Sequence, residues 1–375
     1  MLKKVVLFLT FSICLWVCLS SCVSEHKASE GEMIDVHYAS LLKMEQADSF
    51  TCIKVIDPWN TKRIKATYIL VPKSIGLPTN LPQGIVIRTP IERATLTSSV
   101  HMSLMFDLHA ESSMTGVTDT AYVISKKVKD YIASHKDVIN MGSSMQPDVE
   151  RIKSSHTEAV FVSPFENADY GPLGHCGIPL IECADYMETS PLGRAEWMRF
   201  YGRLFEKGEC ADSLFESIKK NYLSIKEKAD KIKGIRPTVM CDLRTGGTWY
   251  QPGGESTMGR FINDAGGKYL WAERKESGSI PLSVENVLLQ GRNADVWLVK
   301  YGQSSDMTYA QMKNDYPPYA QFKAWKEHHI WACNTMKSAF YEEVPFHPDL
   351  LLSNLVNIFH PKASSIKNEY YKPMK

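Results

Sequence analysis

Between Pro191 and Lys233 the chain runs for more than forty residues with helical spacing and no proline after the first position. Leu214, Phe215, Ile218, Tyr222, Ile225, Ala229 and Ile232 recur at steps of three and four, which sets them on one face with Lys, Glu and Asp opposite. Ser213 with Glu216 fits a capping box, and Gly234 and Pro237 supply a stop. A helix from Asp212 to Lys233 would span roughly 30 Å at about 1.5 Å per residue, enough to join two lobes stiffly. The alternative for this stretch is a helical hairpin broken at Gly208.

The flanks of this stretch alternate short apolar strands with amphipathic segments, the pattern of open α/β sheets. Strands are expected at Gly84 to Arg88, Gly116-Val117, Ala159 to Ser163 and Pro179 to Ala184, with helices at Leu96 to Leu108, Thr120 to His135 and Asp148 to Ser155. The rhythm restarts at Thr238 and continues through strands near Lys268 and Val296 to a last helix after His347-Pro348-Asp349. The expected fold class is therefore α/β, with two Rossmann-like lobes at 84–190 and 235–361 joined by one long rigid backbone helix over 191–234. An N-terminal hairpin and loop occupy 49–83, with strands flanking a turn at Asp57-Pro58-Trp59-Asn60; residues 362–375 read as a tail.

The chain begins as an export signal over 1–22: Lys3 and Lys4, an apolar run from Val5 to Leu19, then Leu19-Ser20-Ser21-Cys22. Small residues directly before a cysteine resemble the lipobox of bacterial lipoproteins, which makes Cys22 the lipidation site and 23–48 a tether. The expected location is the cell envelope, lipid-anchored to a membrane, with the soluble part in the periplasm or outside the cell. Removing Cys14, Cys18 and Cys22 leaves six cysteines scattered without a C-x-x-C spacing, read mostly as small buried hydrophobes with room for one bridge. A net charge of +1 without a basic block beyond the N-terminus excludes a polyanion-binding footprint, and so nucleic acid as a partner.

Ligands of open α/β sheets bind beyond the carboxyl ends of the strands. The loops there are rich in aromatics and poor in paired bases and nucleophiles, which suits a bulky, partly planar or apolar ligand held by a few polar clamps. Arg93, Tyr170, Tyr186, Trp249, Tyr250 and Tyr341 are the expected ligand contacts, with Arg93 or Arg244 clamping an anionic ligand. There is no G-x-S-x-G, H-E-x-x-H or P-loop, so no catalytic residues and no cofactor are assigned. Two alternatives stay open: a zinc or manganese carrier, for which His101, His109, His175 and Glu188 are conceivable ligands without a pairing by spacing, and a lipoprotein enzyme of the envelope.

Several segments together resemble the solute-binding proteins of ABC importers for iron-siderophores, haem and cobalamin. They are Asp148-Val149-Glu150-Arg151-Ile152 before AVFVS, His175-Cys176-Gly177-Ile178-Pro179, Glu255-Ser256-Thr257-Met258 before Asp264-Ala265-Gly266-Gly267, and Pro281-Leu282-Ser283-Val284-Glu285 before Asn293-Ala294-Asp295. The resemblance runs from about Gly84 to His360. It implies a periplasmic-binding-protein fold, a metal chelate or corrinoid/tetrapyrrole as ligand, and an ABC permease with its ATPase as partner. It also implies that Glu150 and Glu285, one on each lobe, dock on permease arginines. Where relatives often carry a ligand-facing aromatic ahead of Asp148, this chain has Gly142-Ser143-Ser144.

Overall fold

A computed structural model describes residues 31–361 and 369–375, so the export signal and Cys22 lie outside the described residues. The chain opens with a five-stranded sheet, β1 (Glu32–Ile34), β2 (Leu42–Gln46), β3 (Thr51–Ile56), β4 (Ile64–Pro72) and β5 (Ile85–Thr89), in that spatial order. The hairpin expected around Asp57 is β3–β4; the Asp57 carboxylate accepts the N–H groups of Trp59 at 2.9 Å and Asn60 at 3.2 Å, which fixes the turn. Two expectations change here. Residues 32–46 are not tether but supply the first two strands, and β5, expected to open the first lobe, pairs with β4 in this added sheet.

The first lobe follows with β6 (Ala94–Leu96), α1 (Ser99–Asp107), β7 (Met114–Val117), α2 (Lys126–Ser134), β8 (Ile139–Asn140), a hairpin of β9 (Gly142–Ser143) and β10 (Gln146–Pro147), α3 (Val149–Ser154), β11 (Ala159–Val162) and β12 (Leu180–Glu182). Its sheet is parallel throughout, ordered β12-β11-β6-β7-β8. The strand missed from sequence, β6, is only three residues long and wholly buried. Tyr68 of β4 joins the added sheet to this lobe: its hydroxyl donates to the Leu180 carbonyl at 2.9 Å and accepts from the Glu182 N–H at 2.8 Å.

The connector is helical but interrupted, running α4 (Pro191–Glu196), α5 (Met198–Leu204) and α6 (Gly208–Asp230). The second break falls at 205–207, where Glu206 takes a left-handed φ of 54° and the Lys207 N–H bonds to the Gly202 carbonyl at 2.7 Å. A Cβ on Gly202 would stand 2.5 Å from that of Ala211, so α5 and α6 fold against each other only with glycine there. The break thus precedes Gly208, and Ser213 sits inside α6 rather than capping it. At 23 residues α6 is about 34 Å long at roughly 1.5 Å per residue.

Two carboxylates on the connector side hold the segment between β1 and β2. Glu196 accepts the backbone N–H groups of His37, Tyr38 and Ala39 at 3.2, 2.7 and 2.8 Å. Glu188 accepts those of Ser40 and Leu41 at 3.0 and 2.8 Å, together with the Trp197 indole N–H at 3.0 Å. Both are buried, and their backbone donors replace the water that an isolated buried charge would lose.

The second lobe comprises β13 (Thr238–Cys241), β14 (Arg244–Thr245), β15 (Thr248–Pro252), α7 (Thr257–Asp264), β16 (Lys268–Tyr269), β17 (Ser279–Ser283), α8 (Val284–Gly291), β18 (Val296–Tyr301), α9 (Tyr309–Asp315), α10 (Lys323–Lys326), β19 (Ile330–Asn334), α11 (Phe340–Glu343), α12 (Pro348–Phe359) and β20 (Lys372–Pro373). Its main sheet is ordered β16-β13-β18-β19-β20, with β20 alone antiparallel. The expected tail therefore finishes this sheet, and Tyr370 and Tyr371 are buried behind it. Trp249, Trp297, Tyr319 and Phe322 form an aromatic core with ring centroids 5.0 to 5.7 Å apart.

After β19 the chain crosses back to the first lobe. Phe346 is buried in that lobe's core beside His101 and Tyr201, and Glu342 accepts the N–H groups of Ile124 and Ser125 at 2.7 and 2.5 Å. His347 Nε2 bonds to Asp107 Oδ2 at 2.9 Å. No helix among the described residues is long and apolar enough to cross a membrane, and Cys52, Cys176, Cys183, Cys210, Cys241 and Cys333 are all free thiols.

Candidate binding crevice

The carboxyl ends of β6 and β11 meet the β9–β10 hairpin in a groove of ≈ 620 Å³ on the first lobe. Thr97, Ser98 and Ser163 supply hydroxyls, and Met145 and Phe165 are 82% and 52% exposed. Met145 stands at the hairpin tip because Asp119 Oδ2 takes the Ser144 N–H at 3.0 Å and Gly142 turns with a φ of 84°. Tyr170 forms another part of this wall; its hydroxyl donates to Glu182 Oε2 at 2.5 Å, and burial followed by that carboxylate pushes the phenol pKa up. Tyr186 is 39% exposed and donates to the Pro164 carbonyl.

A second, smaller cavity of ≈ 180 Å³ lies where the connector, α7, the end of β18 and the α11–α12 segment meet. Tyr341, 57% exposed, is the exposed member of its lining, and Arg194 and Lys300 bring the charge. Arg194 Nε donates to Asp185 Oδ2 at 3.1 Å, and Asp185 also accepts from Tyr201 Oη at 2.7 Å and bonds to His101 Nε2 at 3.1 Å. Burial alone would raise the Asp185 pKa; His101, Arg194 and Tyr201 outweigh it and hold the carboxyl down at about 2. Lys300 Nζ pairs with Asp242 Oδ1 at 2.9 Å.

Tyr170 thus lines the groove and Tyr341 the smaller cavity, whereas Tyr186 lines neither, and three other expected contacts stand elsewhere. Arg93 precedes β6, at the opposite end of the sheet, where its Nε donates to the Ser155 carbonyl at 2.7 Å. Trp249 is wholly buried, and its indole N–H is shared between the Cys241 and Asp242 carbonyls. Tyr250, its neighbour on β15, points the other way and is 48% exposed, but lines neither cavity. The alternative clamp, Arg244, stacks on Tyr316 at 4.2 Å and donates to the Gly246 carbonyl at 2.6 Å inside its own lobe, while its Nε is buried without a partner among the described residues and it lines neither cavity. Strand alternation separates Trp249 from Tyr250 in principle; which of the two faced inward required the partner strand β17.

The four residues considered for zinc or manganese do not converge. His101 is committed to Asp185 and Glu188 to backbone N–H groups, and among the described residues no group of three His, Cys, Asp or Glu is placed to hold a metal ion. Glu150 and Glu285 are both exposed and lie in the first turns of α3 and α8, capped by Asp148 and Ser283.

Two α/β lobes, a helical connector and a crevice at the carboxyl ends of the strands define a two-lobed solute-binding protein. The chain belongs to the periplasmic binding protein family, whose model matches residues 94–335. Over 287 residues it is 26% identical to an uncharacterised lipoprotein of Methanocaldococcus jannaschii, covering 74% of this chain and 67% of that one. Its fold is that of a possible iron-binding periplasmic solute-binding protein from Staphylococcus epidermidis, at a TM-score of 0.58 and 14% identity over 72% of this chain and 100% of the other. A periplasmic haem-binding protein from Pseudomonas aeruginosa is equally similar, at a TM-score of 0.58 and 15% identity over 76% and 98% of the two chains. The match begins at residue 94, so the added sheet β1–β5 precedes the part shared with the family.

Proposed function

We propose that the protein is the lipid-anchored solute-binding component of an ABC importer and captures a metal chelate, either a ferric siderophore, haem or a cobalamin-like corrinoid, between its lobes. The observation that carries this reading is an open, partly aromatic groove at the carboxyl ends of the first lobe's strands, together with a smaller cavity at the end of β18, in a chain of this family. At ≈ 620 Å³ the groove lies within the roughly 300–1,000 Å³ usual for small-molecule and cofactor pockets. Tyr170, Tyr186 and Tyr341 contact the ligand, joined by Met145 and Phe165. Cys22 carries the anchor, and the protein sits at a membrane surface in the cell envelope. Glu150 and Glu285 dock on the permease, as exposed carboxylates with no buried partner of their own.

The test is an equilibrium titration of the protein starting after Cys22, following tryptophan fluorescence, with ferric siderophores, haem, cobalamin, Zn²⁺ and Mn²⁺. Saturable micromolar or tighter binding of one chelate is expected. A response to a free metal ion alone, or to nothing, contradicts the reading.

A further inference from the structure

We infer that the smaller cavity is a carboxylate subsite, with Arg194 and Lys300 as its two recognising cations, so that the chelate carried is an anionic one. This rests on the reading of the protein as a chelate carrier and narrows it to one chemical class.

Size comes first. A cavity of ≈ 180 Å³ is below the roughly 300–1,000 Å³ of pockets that enclose whole ligands, so it admits a substituent rather than a chelate. Its lining is apolar in Pro191, Met258, Phe261, Val344 and Leu351 and contains no carboxylate. In such surroundings a charge interacts more strongly than it would in water, so a carboxylate brought beside the guanidinium or the ammonium gains more than it would at an open surface.

Both cations are held from behind. Asp185 and Asp242 do not line the cavity; each fixes its cation by one contact, at 3.1 Å to Arg194 Nε and 2.9 Å to Lys300 Nζ. Among the described residues nothing hydrogen-bonds to Arg194 Nη1 or Nη2, so the end of the guanidinium that can grip a carboxylate with two parallel bonds is unspent. Asp185 is in turn locked by His101 and Tyr201. Asp242 is locked by its backbone: its φ is 55°, and its carbonyl accepts the indole N–H groups of Trp249 at 3.2 Å and Trp297 at 2.9 Å. The first turn of α7, with Thr257 and Met258 in the cavity wall, adds the positive end of a helix. Rigidly backed donors of this kind favour an anion without the cost of ordering them on binding.

The experiment compares chelates that differ in carboxylates, on the wild-type protein and on Arg194→Gln and Lys300→Gln. Haem is paired with haem dimethyl ester, and ferric citrate with a neutral ferric trihydroxamate. At least one carboxylate-bearing member should bind roughly tenfold or more tightly than its neutral counterpart, and each substitution should weaken that member by about tenfold while leaving the neutral one unchanged. The ligand comparison needs no variant, so a poorly folding Arg194→Gln does not blunt it. Neutral chelates binding as tightly as carboxylates, or variants with unaltered preference, overturn the subsite and leave the carrier reading standing. Silence from every chelate overturns both.

Discussion

The two lobes share a parallel-sheet plan and are secured by different chemistry. The first lobe is fastened to the connector and to the added sheet by buried acids: Glu188 and Glu196 grip the backbone of 37–41, and Asp185 gathers His101, Arg194 and Tyr201. The second lobe relies on the Trp249, Trp297, Tyr319 and Phe322 cluster, and its free edge is completed by β20. The crevice inherits this asymmetry. Its first-lobe wall is an open groove of hydroxyls, Met145 and Phe165, while the smaller cavity is lined by Arg194, backed by Asp185 of the first-lobe acid network, and Lys300, backed by Asp242. The aromatic cluster of the second lobe is buried, whereas Phe165 and Tyr170 of the first-lobe loops line the open groove.

That division can be broken most sharply at Trp249. Trp249→Ala should cost about 3–5 kcal/mol in denaturant unfolding, the usual range for emptying a large buried aromatic. Trp249→Phe should lose less and keep ligand affinity; a large affinity loss in a stable Trp249→Phe would return this residue to the site. Next comes Glu196→Ala, which leaves three backbone N–H groups without their acceptor and should cost about 3 kcal/mol. Glu196→Gln keeps one acceptor oxygen and should recover part of that loss.

Two contacts, Asp185 within the first-lobe network and His347–Asp107 between the lobes, respond to pH with opposite signs. The Asp185 pKa is depressed to about 2, so its contribution is present above the unfolded value near 3.9 and is lost as pH falls towards 2; Asp185→Asn should flatten that acid limb of a stability–pH curve. For His347, burial disfavours the imidazolium but Asp107 outweighs it and raises the pKa. Its contribution is full below about 6.5 and fades as pH rises through the folded value. His347→Gln should remove that alkaline loss, together with about 1–2 kcal/mol at pH 6, as read by thermal melts across pH. The smallest stability effect belongs to Glu150→Lys with Glu285→Lys, within about 0.5 kcal/mol at exposed positions. Transport by that double variant should nonetheless be abolished with ligand affinity nearly unchanged, and undiminished uptake would refute the docking role.

Much of the architecture was legible because periodicity reports burial: the strands at Ala159 and Val296 and the helices after Asp148 and His347 lie where their apolar spacing puts them. Partnership was not legible. Residues 85–89 form a strand as expected, but only pairing with β4 assigns them to the added sheet. The connector reads as one helix or as a hairpin broken at Gly208; the break falls just before Gly208, at 205–207, and the close approach at Gly202 that goes with it is a tertiary fact. For the cavities, loop aromatics pointed to two lining residues, Tyr170 and Tyr341, and to Tyr186, which lines neither. The cations were not, since Arg194 sits inside a helix and Lys300 at a strand end, with nothing local to distinguish them from the remaining Lys and Arg.

Hydrogen exchange on the protein bound to whichever chelate saturates it tests the crevice most directly. Slowed exchange is expected together in residues 142–147 and 163–171 of the first lobe and in 340–345 across from them, with the backs of both sheets unchanged. Protection confined to one lobe, or centred on the added sheet, would contradict a ligand held between the two.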